Sequence, residues 1–140
     1  MNNFKLSIQN VTLFLLLIVS CDESLPGDPS AIVTGLWSGE HIRLEATIDS
    51  ITIIYDCAVG KIYEPIIPEG EDEFTLLGTH TFETGGPVIE GARPDIHPAK
   101  FEGNVASDVM TLTVSLTDTT FVIGTFTLQY NNEGNVYRCY

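Results

Sequence analysis

From about residue 31 to the C-terminus, a period-two alternation of apolar and polar side chains recurs almost everywhere, and no window sustains a period of 3.6 residues. A β-strand turns successive side chains to opposite faces, so this pattern demands antiparallel strands with one face in a core. The cleanest case is Met110, Leu112, Val114 and Leu116 alternating with Thr111, Thr113, Ser115 and Thr117. His41 to Ile48 sets Ile42, Leu44, Ala46 and Ile48 against Arg43, Glu45 and Thr47, and Ile51 to Cys57 puts Ile51, Ile53, Tyr55 and Cys57 on one face. Asp49-Ser50 between these two runs predicts a tight hairpin. Further strands are predicted over 31–37, 61–67, 74–83, 100–106, 109–117, 120–130 and 136–140. Near Gly124 the apolar phase slips, with Phe121 and Ile123 opposite to Phe126, Leu128 and Tyr130, which predicts a bulge or bend there.

Such a run of short sequential strands predicts an all-β domain, either a small antiparallel up-and-down β-barrel of about eight or nine strands or, alternatively, a β-sandwich. About 120 residues follow the first twenty, enough for a single β domain over 31–140. The stretch 84–98, with Gly85-Gly86-Pro87 at its head and Pro94 and Pro98 at its end, is predicted to be a long irregular loop of the kind that carries function.

The N-terminus has a different grammar. Lys5 is the only charge before Val11–Val19, an apolar run broken by Thr12 and too short to span a bilayer as a helix. Ile18-Val19-Ser20-Cys21 resembles the bacterial lipobox, which implies a signal peptide over 1–20, cleavage after Ser20, and lipid on Cys21. Two or three acyl chains make an effectively permanent membrane anchor. Residues 21–30 then form the lipidated cysteine and a Pro-, Gly- and acid-rich tether. Asp22 and Glu23 resemble the surface-export signals of lipoproteins from Bacteroidota, so the expected location is the cell envelope, at the outer membrane or cell surface.

Six Lys and Arg against 19 Asp and Glu give a net charge of −13. Such a surface repels phosphate backbones, which excludes nucleic acid as a partner and disfavours direct binding to anionic lipid. Glu69-Gly-Glu-Asp-Glu73 lacks the ligand spacing of a calcium loop and reads as a solvated turn. With Cys21 committed to lipid, Cys57 and Cys139 are an even pair in an oxidising compartment, which predicts a disulfide between them.

Gly35-Leu36-Trp37 on the first strand is similar to the Gly-x-Trp signature of lipocalins and the wider calycin barrels. The resemblance implies that Trp37 closes one barrel end and that Arg138 packs over it, a cation–π contact of about 0.5–2 kcal/mol. A disulfide from an early strand to the C-terminus is also common in that family. Tyr55-Asp-Cys-Ala-Val-Gly60, Gly85-Gly-Pro-Val88 and Met110-Thr-Leu-Thr-Val114 resemble segments of small exported proteins without an assigned activity.

The sequence has no nucleophile elbow, phosphate loop, dinucleotide fingerprint or paired Cys-x-x-Cys, so no catalytic residue, cofactor or metal is expected. His80 shares the phase of Phe74, Leu76 and Phe82 and should point into the barrel, as should Gly78; Gly103 falls in the inward phase of its own strand. These three residues predict a small pocket for a compact apolar ligand. The reading is a non-catalytic, lipid-anchored barrel that binds a small molecule or has a structural role. Its alternatives are an enzyme with a site near His80 and His97, or an adhesion and assembly module.

Overall fold

The computed structural model describes residues 31–86 and 91–139. The signal peptide expected over 1–20, Cys21 and the tether expected over 21–30 lie outside these described residues. Eight strands follow one another: β1 (Gly35–Gly39), β2 (Ile42–Ala46), β3 (Ile51–Tyr55), β4 (Ala58–Ile62), β5 (Glu73–Phe82), β6 (Asp95–Ala106), β7 (Val109–Leu116) and β8 (Val122–Tyr130). Each pairs antiparallel with the next, and β1 pairs with β8, so the meander closes into a barrel. This is the up-and-down barrel that the alternation predicts, and the sandwich is ruled out.

The turns are short where the sequence supplies residues that tolerate left-handed backbone. His41, Cys57 and Ser107 have φ of 64°, 59° and 57° in the β1–β2, β3–β4 and β6–β7 turns. Between β2 and β3 the Thr47 hydroxyl accepts from the Ser50 amide at 3.0 Å and donates to Asp49 at 2.7 Å, a side-chain clip that tightens the hairpin. The bulge is where the phase slip places it: the β7–β8 register shifts between Val114 and Ser115, opposite Gly124 and Val122. One extra residue returns Phe126 and Leu128 to the inner face, where they oppose Leu112 and Met110.

The barrel interior is occupied by side chains. Ile42, Leu44, Ile51, Ile53, Ile62, Phe101, Met110, Leu112, Val114 and Leu128 are all buried and form one continuous cluster. Trp37 is buried, and its ring partner is Tyr130 at 5.1 Å. Gly35 has φ +104°, and a Cβ there would lie 2.6 Å from the Tyr130 ring, so this position requires glycine.

Arg138 does not cover Trp37. It donates through Nε and Nη2 to the two carboxylate oxygens of Glu83, at 3.0 and 2.6 Å. A bidentate carboxylate satisfies a guanidinium better than an indole face that Tyr130 already covers.

Beyond β8 the chain doubles back as a strap over residues 131–139. Ser38 faces outward beside its register partner Arg43 and is nevertheless buried, because Gly134 lies against it. The strap then crosses the far rim: Asn135 accepts from the His41 amide, Tyr137 from the Cys57 amide, and the Tyr137 amide donates to Asp56 at 2.7 Å. It ends in the predicted Cys57–Cys139 disulfide. The strand predicted over 136–140 is therefore absent from 136–139, since this segment crosses hairpin turns instead of running beside a strand.

Other bounds differ as well, beginning with the first strand, which is Gly35–Gly39 and not 31–37. The fourth strand occupies 58–62 and not 61–67, because Pro65 and Pro68 end it early. The predicted loop over 84–98 loses its last four residues to β6. Pro98 fits there because its carbonyl and its ring nitrogen face the β7 side, where the ladder begins only at Ala99; the carbonyl accepts from the Thr117 amide.

Candidate functional site

At the rim that the strap crosses, the inner faces of β3, β5, β6 and β8 bring aromatic rings together. Tyr55 and His80 have centroids 5.3 Å apart, Tyr55 and Phe126 are at 5.6 Å, and Phe82 stands edge-on to His80 at 4.5 Å and to His97 at 5.7 Å. His80 and His97 are register partners across β5 and β6, so the ladder unites two residues seventeen apart in the chain. Beneath them, Gly60 leaves room for the tyrosine head, since a Cβ there would lie 3.0 Å from the Tyr55 hydroxyl.

The two histidines have opposite electrostatics. His97 bonds through Nδ1 to Asp118 at 2.7 Å and through Nε2 to Asp95 at 3.1 Å. Carboxylates only accept, so the two bonds together favour the doubly protonated ring, and the Asp118 hydrogen bond raises its pKa above the ordinary value. His80 is 0% exposed, and burial pushes its pKa down, aided by the His97 charge. Tyr55 is raised by burial and remains a phenol. Neither nitrogen of His80 has a hydrogen-bond partner, nor has the Tyr55 hydroxyl. Buried polar atoms in native proteins are rarely left so. Three in one cluster mark this as the chemically distinctive part of the molecule.

The glycines expected to border a pocket have a different role. A Cβ on Gly78 would run into the Lys61 carbonyl and lie 2.8 Å from Ile62, and one on Gly103 would meet the Thr111 carbonyl and lie 2.9 Å from the Phe74 ring. The space beside both is filled by neighbouring strands, so they permit close strand approach. Gly103 also pairs with Phe74, well along β5 from His80, so the three predicted residues do not converge. Tyr55, which does meet His80, and Phe126, which meets Tyr55, alternate in phase with their strands like any core residue.

Among the described residues, no glutamate expected as an acid–base partner reaches His80. Glu83 is held by Arg138, Glu64 lies at the opposite end, and Glu90 is outside the described residues. Among the described residues no group of three or more metal-ligating side chains converges. Two grooves mark the outer surface instead. One, of about 690 Å³, runs past Glu64, Ile67, Glu69, Glu71 and Glu73; the other, of about 410 Å³, lies between Thr75, Glu102, Asn104 and Thr111. Comparison with protein-family models, curated proteins and solved structures finds no match to this chain.

The two histidines make stability pH-dependent in defined directions. An unfolded histidine binds a proton below about pH 6.5, whereas folded His80 resists it, so the His80 contribution is lost as pH falls through that value. His97 acts oppositely, stabilising most below its raised folded pKa and less as pH climbs through it. Denaturant midpoints measured from neutral pH to pH 5 should therefore fall less steeply in His80→Phe than in the parent. Parallel curves would mean that His80 takes up its proton without unfolding.

Proposed function

We propose that the chain is a non-catalytic, lipid-anchored envelope protein whose barrel is a rigid structural and interaction module, not a carrier of small molecules. The filled interior supports this reading: a barrel of eight strands is just wide enough either to hold one small ligand or to be filled by its own residues. Here Phe101, Met110, Leu112 and Leu128 occupy that space. The anchor part rests on Ile18-Val19-Ser20-Cys21 and on the acidic residues after it.

Environment-sensitive apolar probes titrated into the purified protein should show no saturable binding, and a single saturable site would return the barrel to the carrier class. Cys21→Ala should lose fatty-acid label and membrane association together. A variant that keeps both would sink the anchor. A second reading is favoured by the unpartnered Tyr55 and His80 atoms alone: a compact polar molecule, or ordered water, held at the rim.

A further inference from the structure

In a chain of net charge −13, one stretch of outer wall is free of acids. No Asp or Glu occurs in β4, nor in β5 after Glu73. Lys61 points outward on β4 opposite Thr79, and Lys100 pairs with Leu77 on β6. Two residues beyond Lys61 and Thr79 along the same strand lines stand Tyr63 and Leu77, which are 79% and 64% exposed. Further still toward the end where residue 31 enters, the 690 Å³ groove gathers Glu64, Glu69, Glu71 and Glu73 beside half-exposed Ile67. One face thus carries, in order along the strands, the cation Lys61, an exposed apolar pair, and acids, while Lys100, level with Leu77, is paired with Glu102 at 2.8 Å. Lys61 makes no ion pair among the described residues.

A face with opposite charges on either side of an apolar centre is complementary to itself after a half-turn. We propose that this wall is the interface of a symmetric dimer of this chain, with two barrels side by side and antiparallel about an axis at Tyr63 and Leu77. Lys61 of each copy then meets the acidic groove of the other, so one contact is made twice, as two-fold symmetry requires. Tyrosine and leucine at the centre exclude water, and the flanking charges set the register. The inference uses the outer surface only and stands whether or not the interior binds a ligand.

The test is cross-linking of the full chain in its own membrane. Tyr63→Cys and, separately, Leu77→Cys should each give an oxidised species of twice the monomer mass, while Thr125→Cys, exposed on β8 on another wall, should not. Lys61→Glu added to Tyr63→Cys should lower the yield roughly tenfold, because the lost attraction counts twice, and adding Glu73→Lys should restore it. Absence of the doubled species from both cysteine variants overturns the proposal. So does an equal yield at Thr125, or cross-linking to a chain of another mass. Probe binding and fatty-acid labelling read the carrier and anchor questions separately.

Discussion

Replacing Cys57 with serine is expected to lower the free energy of unfolding by about 4 kcal/mol, the chain-entropy value for a cross-link spanning a loop of this size, where the joined residues are 82 apart. The loss should exceed that figure only if the strap detaches as well. The strap has other holds, the Arg138–Glu83 pair and the backbone bonds from His41 and Cys57. The half-exposed ion pair alone contributes no more than about 1 kcal/mol. Denaturant melts of parent and variant decide it. A difference under about 1 kcal/mol would mean that the unfolded chain is already compact enough for the bond to constrain little.

Phe101→Ala should cost about 3–5 kcal/mol. Phe101 is fully buried at the barrel centre, between register partners Leu76 and Val114 and against Gly60. Backbone hydrogen bonds on both sides of β6 keep the wall from collapsing into the void. The consequence reaches beyond stability, because a dry apolar hole of that kind binds small hydrocarbons. The parent should ignore benzene in a thermal-shift assay, whereas Phe101→Ala should be stabilised by it. Equal response of the two proteins would show that the native barrel already contains usable space.

The strands most legible in the sequence are those whose two faces differ most, such as β2, β3 and β7, where burial alternates residue by residue. Alternation reports only which side of a strand is wet. It says nothing of which strands are adjacent, so a barrel and a sandwich fit the same text until the β1–β8 pairing decides between them. Residues 95–98 were hidden because Pro94 and Pro98 read as breakers; a proline on the side of a strand where the ladder has not begun breaks nothing. Gly78 and Gly103 carry the same lesson. Their inward phase is correct, but a missing side chain can mean either a hole or a neighbour pressed close, and only three-dimensional placement tells which. His80 was legible as an inward residue and His97 as its neighbour, while Tyr55 was not, since it meets His80 from a strand far away in the chain, with Phe126 behind it. The even cysteine pair was readable because redox chemistry depends on count and compartment more than on geometry.

The closure of the barrel is uneven. Every ladder but one joins strands adjacent in sequence and costs only a hairpin's worth of loop entropy, while the last, β1 with β8, spans nearly the whole domain for two rungs, Trp37 with Tyr130 and Ser38 with Gln129. That seam should zip last during folding and open first under stress. In an unclasped meander its opening would let the sheet unroll and bare two strand edges to other molecules. The Cys57–Cys139 bond ties the segment after β8 to the β3–β4 turn, on the far side of the seam from β7, and so limits how far the edges can part. Opening should then be a short excursion with a fast return, so the exposure of those edges would be governed by kinetics set in the strap, residues 131–139.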